Sequence, residues 1–285
     1  VWQPNNADFH FSYREMSLRW AMGKSVNSIT AQVTEQVGWD KIVQYAHKIG
    51  IESPLKSVPS VSLGSNDVSV FEMVRAYSTF LNKGEKVDPL LVTKITDQKG
   101  NIIEEFTLKA ERVLSEETAW LMLYMFRGGM EEPGGTSQAL WEYPGLWKKN
   151  NQIGGKTGTS SDYVDGWYMG ITKDLVTGIW VGADDRSVHF TTSETGEGSH
   201  TALPIFGAFM EKVYADPNSG YTYGPFPKPW SKISKTYMCP SPQIREDTTS
   251  TDSVTMPIDT TGGFVVPPPA PAEENPENKT PPPGR

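Results

Sequence analysis

Apolar positions recur along this chain at two periods, and the change from one to the other marks out its elements. Over residues 14–22, Met16, Leu18, Ala21 and Met22 fall mostly at helical spacing, with Gly23 as a stop. A second helical run covers 29–37 and is closed by Gly38. A third covers 41–49, with Asp40 as its cap and Gly50 after its last turn. Residues 51–68 carry Ser, Pro and Gly throughout and read as loop. Ser69 followed by Glu72 is a capping box, and it opens a helix that runs to Lys83 and stops at Gly84. Ser115 starts a further helix whose acidic first turn, Glu116 and Glu117, suits the helix dipole. The aromatic and Met side chains of that helix (Trp120, Met122, Tyr124, Met125, Phe126) read as core, and Gly128–Gly129 ends it. Pro204 fits the first turn of a last helix reaching Tyr214.

Elsewhere the period drops to two. Residues 91–96 and 102–107, joined around Lys99-Gly100-Asn101, predict a β-hairpin. A second hairpin is predicted from 167–171 and 175–182 around Thr172-Lys173-Asp174, with Trp167 and Trp180 in its core and residues 154–160 as a strand beside it. Alternation then places Thr157 and Thr159 on one face of that strand, and Lys156 and Gly158 on the other. A glycine such as Gly158 weakens a strand but lets another backbone or a ligand approach closely. A lysine, two hydroxyls and open N–H groups along a sheet edge suit a peptide that ends in a carboxylate and adds as an extra strand.

Composition narrows the classes. At 285 residues and 37% hydrophobic, the chain can bury a full core in one domain or at most two. A net charge of −8 with pI near 5.1 argues against nucleic acid or an anionic membrane surface as partner. No apolar run is long enough to span a bilayer. Cys239 is the only cysteine, and the four histidines are scattered without ligand spacing, so neither a disulfide nor a metal site is expected. The Gly155-Lys156-Thr157 run imitates the end of a phosphate-binding loop. That motif needs a glycine where Asn150 stands and a helix where strands follow. From residue 239 onward Thr, Ser, Pro and acid predominate, with eight prolines between 267 and 285, so 239–285 is expected to be a disordered tail after a domain over 1–238.

Two short motifs carry the chemistry when taken together. Ser25-Val26-Asn27 sits at a junction between predicted helices, and Lys156-Thr157-Gly158 sits on a predicted strand. Read singly, Ser25 fits a helix cap, Asn27 a turn residue and Lys156 a solvated strand lysine. In this order and context they resemble the S-x-N and K-T-G motifs of penicillin-binding proteins. The flanks agree: Trp2, Pro4 and Asn5; Leu18-Arg19-Trp20-Ala21; Ser62-Leu63-Gly64; Ala76-Tyr77; Asp165-Gly166-Trp167; and Trp180-Val181-Gly182 with Asp184-Asp185. Residues 1 to about 215 are similar in this way to the class A (bifunctional) penicillin-binding proteins, within the C-terminal portion of the transpeptidase domain. The family's nucleophile lies in an S-x-x-K motif upstream of S-x-N. Here Ser53-Pro54-Leu55-Lys56 fits those letters but follows S-x-N, so it is read as loop or cap and the nucleophile is expected before this chain.

The resemblance implies an α+β fold, an antiparallel β-sheet flanked by helices as in the penicillin-recognising serine transpeptidases and β-lactamases, incomplete at its N-terminal side. It implies serine acyl transfer at the D-Ala–D-Ala end of peptidoglycan stem peptides, acylation by β-lactams, and no metal or cofactor. Ser25 would relay a proton to the leaving amine, Asn27 would hold that serine or the substrate amide, and Lys156 would supply positive charge. Thr157 and Thr159 would bind the carboxylate, with the Thr159 N–H in the oxyanion hole and Gly158 keeping the edge open. Ser160 and Ser161 fit either a substrate contact or a turn. The N-terminal remainder of the protein, with a glycosyltransferase domain and membrane anchor, is the implied partner, and the outer face of the cytoplasmic membrane the implied location. A non-catalytic peptidoglycan-binding domain, and a β-lactamase or D,D-carboxypeptidase of the same superfamily, stay open as alternatives. This chain alone is expected to be inactive.

Overall fold

The computed structural model describes residues 2–239. The expected tail therefore lies, Cys239 apart, outside the described residues. The elements below belong to one compact unit that includes residues 2–11 and 16–239.

Helix α1 (Leu18–Gly23) is shorter than the apolar spacing predicts. The Ser17 hydroxyl accepts the Trp20 N–H at 3.1 Å and fixes the start of the helix there. Helix α2 (Asn27–Val37) and helix α3 (Trp39–Ile49) share Gly38 as a joint, at φ +86°. Asp40 is thus not the cap of α3. It lies in the first turn, where its carboxylate receives the Ser57 hydroxyl. Helix α4 (Val70–Leu81) opens on the predicted capping box, with both reciprocal bonds between Ser69 and Glu72 formed.

Strand β1 (Glu85–Val87) follows, then the predicted hairpin, trimmed to β2 (Lys94–Thr96) and β3 (Ile102–Glu105), then β4 (Ala110–Arg112). The β1–β4 pairing has no apolar alternation to reveal it. It is lined instead by cross-strand ion pairs, Lys86–Glu111 at 3.0 Å and Arg112–Glu85 at 2.6 Å. Helix α5 (Glu116–Phe126), capped by Ser115, buries Trp120 and Phe126 of the side chains expected in the core, together with Leu123, while Met122, Tyr124 and Met125 are only partly buried. Gly128–Gly129 does not stop the helical path but starts a short helix, α6 (Gly128–Glu131).

The central sheet is antiparallel in the order β5 (Gly154–Thr159), β6 (Gly166–Ile171), β7 (Val176–Val181), so the lysine-bearing strand is an edge strand. After a short turn, α7 (Ser193–Gly196), helix α8 (Ala202–Ala215) covers one sheet face. Its Phe206 packs with Tyr168, and a Cβ on Gly170 would lie 2.2 Å from the Phe206 ring. The opposite face, with Met169, Ile171 and Gly178, meets Val70 and Val74 of α4 and Phe126 of α5. A sheet sandwiched between helices is an α+β arrangement, as expected. Trp180 departs from the reading as hairpin core. It is 38% exposed and its indole N–H donates to Asp165 at 2.9 Å.

Candidate active site

Two local structures build the pocket. In the first, α1 ends on Lys24 and the chain turns through Ser25 at φ +61°. The Val26 N–H donates to Ala21 O at 2.8 Å and the Ser25 N–H to Met22 O at 3.1 Å, the bond pair of a Schellman ending. Its left-handed position normally goes to glycine, and a serine there costs roughly 1 kcal/mol or more of backbone strain. Ser25 is not a helix cap either: Val26 holds the N-cap position of α2 and makes no side-chain bond there. The turn therefore carries a strained hydroxyl aimed elsewhere.

It is aimed at strand β5. The Lys156 ammonium donates to Ser25 Oγ at 2.8 Å and to Thr157 O at 2.8 Å, joining positions 131 apart in the chain. Among the described residues no carboxylate pairs with this ammonium. Burial without a counter-charge pulls Lys156 down from 10.5 to about 8. A neutral amine is thus within reach at physiological pH, poised to exchange a proton with the hydroxyl it touches.

Alternation along β5 works as predicted. Lys156 faces Ser25, while Thr157 and Thr159 point to the opposite face. There the Thr157 hydroxyl donates to Thr136 Oγ1 at 2.8 Å, and Thr159 Oγ1 accepts the Gly198 N–H at 3.0 Å. Thr159 itself is exposed. Gly158 has room on its face save for the Cβ of its cross-strand neighbour Trp167, 3.1 Å from where a Cβ would stand. Gly155 is required by packing, since a Cβ there would lie 2.2 Å from the Tyr168 hydroxyl.

Two candidate residues have other engagements. The Asn27 amide donates to Asn5 O at 2.8 Å, and the neighbouring Asn6 carboxamide caps α2 through the Ser28 N–H at 3.0 Å. Asn27 thus anchors the opening segment to the Ser25 turn. Ser160 closes a turn: its hydroxyl donates to Asp165 Oδ2 at 2.8 Å and accepts the Asp165 N–H at 2.9 Å. Ser53, the look-alike of a nucleophile, is held far from such a role. Its hydroxyl donates to Glu72 at 2.8 Å and its N–H at 2.6 Å, while Lys56 is exposed. The Glu72 carboxylate also takes the Ser69 and Glu52 N–H groups and sits at about 2, with the Ser69 backbone bond the foremost cause and burial opposing it.

Sequence reading missed Thr136, Gly198 and the Asn5–Asn6 contact. The run Gly134-Gly135-Thr136 is visible as a loop, but nothing in its letters says which strand it touches. No group of three or more potential metal ligands is assembled among the described residues.

The fold thus brings a lysine on a sheet-edge strand into contact with a serine on a helix junction. Residues 2–211 match the penicillin binding protein transpeptidase domain, and the chain belongs to that family. It is 31% identical over 212 residues to penicillin-binding protein 1A of Aquifex aeolicus, covering 74% of this chain and 27% of that protein. With penicillin-binding protein 1A of Rickettsia conorii the identity is 33% over 241 residues, covering 75% and 29%. The crystal structure of penicillin-binding protein 1A from Haemophilus influenzae superposes with a TM-score of 0.68 at 26% identity, covering 79% of this chain and 38% of that one. PonA1 of Mycobacterium tuberculosis in complex with penicillin V shares the fold, with a TM-score of 0.66 at 20% identity, covering 83% and 65%. The chain therefore spans less than a third of these two curated relatives.

Proposed function

We propose that this chain supplies the S-x-N and K-T-G walls of a peptidoglycan D,D-transpeptidase whose nucleophilic serine lies in a preceding segment, with 1–238 as the domain portion. One observation carries the reading: the 2.8 Å contact between Lys156 Nζ and Ser25 Oγ beside an open sheet edge. The upstream serine adds to the carbonyl of the penultimate D-Ala, its proton passing to a neighbouring base. The C–N bond to the terminal D-Ala then breaks, and Ser25, backed by Lys156, delivers a proton to the departing amine. The base returns its proton to Ser25 by way of Lys156; an amine from a second stem peptide then attacks the resulting ester, its proton passes to the departing serine oxygen, and atoms and charge balance. A β-lactam follows the first half of this course, and its ring nitrogen stays tethered as the leaving group.

Strand β5 serves as the docking edge. Thr159 provides a hydroxyl proton for the substrate carboxylate, Thr157 steadies the strand through its bond to Thr136, and Lys156 adds positive charge. The Thr159 N–H contributes to the oxyanion hole, where one lost donor costs roughly 10²–10³ in rate. Asn27 and Ser160 support the two walls, through Asn5 and Asp165. The chemistry needs no metal or cofactor. The work is done outside the cytoplasm, and no helix among the described residues is long and apolar enough to cross a membrane.

Labelling with a fluorescent penicillin, followed by peptide mapping, tests the reading. The full-length protein takes one label on a serine preceding residue 1, and the isolated 1–285 chain takes none. A label on Ser53, or none on the full-length protein, overturns it. Supplying a stem-peptide amine acceptor separates transpeptidase from carboxypeptidase: cross-linked product rather than free acid is expected.

A further inference from the structure

Thr136 belongs to neither motif, yet it touches both walls of the pocket. Its N–H donates to Gly23 O at 3.0 Å, two residues before Ser25, and its side-chain oxygen accepts the Thr157 hydroxyl proton at 2.8 Å. The loop that carries it has little slack. The Gly135 N–H donates to Glu132 O and the Ser137 N–H to Gly129 O, each at 3.0 Å, and a Cβ on Gly135 would lie 2.3 Å from Gly129 O. The same segment presses on the Ser25 turn from behind: a Cβ on Gly23 would stand 2.6 Å from the Gly128 carbonyl. A continuous run of close backbone contacts thus leads from α1 through α6 to Thr136 and ends on β5.

We infer that Thr136 is a positioning residue, tying the turn that bears Ser25 to the strand that bears Lys156 and fixing the Thr157 hydroxyl on the face turned away from Lys156. An edge strand has only one neighbour in its sheet, so its outer side needs a second support if a side chain on it is to hold one distance. Thr136 provides that support within the pocket itself. The inference rests on the acyl-transfer reading for its consequence in rate, but its geometry stands separately.

The test uses the full-length protein with T136V, which keeps shape and removes the accepting oxygen, and T136S, which keeps that oxygen. Penicillin acylation is resolved into a binding constant and an acylation rate constant, beside thermal melting and crystal structures. Expected for T136V is a roughly tenfold slower acylation step, the size of one lost buried hydrogen bond, with binding nearly unchanged and the melting temperature lowered by only about 2–4 °C. T136S restores the rate to within about twofold of the parent on the same reasoning. Should T136V fail to fold, T136A removes the same oxygen. An unchanged rate in the variant lacking the oxygen, or a T136S protein equally slow, overturns the inference. If the parent takes no label, the acyl-transfer reading fails and the crystal structure decides alone. A Thr157 hydroxyl that keeps its place, with Ser25 and Lys156 still in contact in T136V, then overturns the inference, and a displaced one supports it.

Discussion

Ser25 holds a left-handed turn at φ +61° in order to place its hydroxyl 2.8 Å from the ammonium of Lys156. A glycine would suit the turn better but would leave a desolvated cation with, among the described residues, only Thr157 O to receive its protons. Strain and hydrogen bonding oppose each other here, and their sizes differ enough to predict which prevails.

Relief of the turn is worth roughly 1 kcal/mol, whereas a hydrogen bond to a charged group contributes about 1.5–3 kcal/mol. S25G therefore destabilises the parent at neutral pH by about 1 kcal/mol on these figures, and it stabilises a K156M background by about the same amount. Denaturant titrations of the four proteins in the double-mutant cycle check the change of sign. Penicillin labelling of the full-length protein is lost in both S25G forms.

Lys156 gives a pH signature of defined direction. Its pKa falls from 10.5 in the unfolded chain to about 8 in the folded one. The unfolded state thus binds more protons between those values, and the penalty is fully present below about 8 and fades as pH rises towards 10.5. The parent is expected to gain stability relative to K156M by up to about 3 kcal/mol as pH rises from 7 to 10.5, whatever the balance at pH 7 between the burial penalty and the bonds that K156M loses. Unfolding free energies measured at pH 7, 9 and 10.5 decide it.

Glu72 gives the opposite signature at acid pH. Its carboxylate collects bonds from Ser69, Glu52 and Ser53, and its pKa drops from 4.5 to about 2. The contribution is complete above about 4.5 and is lost as pH falls through 2. E72Q is expected to lower the melting temperature at pH 7, with most of the difference gone near pH 2. S53A removes one hydroxyl donor, costs about 1 kcal/mol, and leaves penicillin labelling of the full-length protein intact.

Thr159 and Ser160 separate by role. T159V removes an exposed hydroxyl from the docking edge and should slow penicillin acylation about tenfold, the weight of one polar contact. S160A loses its two bonds to Asp165, lowers stability by roughly 1–2 kcal/mol, and slows acylation less than T159V. A larger rate loss in S160A would place that hydroxyl on the ligand.

Much was legible before any coordinates. Local rules placed the capping box at Ser69 and Glu72, the alternation of Lys156 against Thr157 and Thr159, and the hairpin beside them, because caps, turns and strand period depend on residues close in sequence. The motif pair Ser25-Val26-Asn27 and Lys156-Thr157-Gly158, read with its flanks, pointed to the family that residues 2–211 match. Only the tertiary structure could say that Asn27 turns to Asn5, that Trp180 stays 38% exposed, and that Thr136 grips Thr157. Each of those facts depends on which surface the folded chain brings up against a given side chain. A hydroxyl or an amide bonds to whatever group lies within about 3 Å, and neighbours separated by tens of residues leave no periodic trace in the letters themselves.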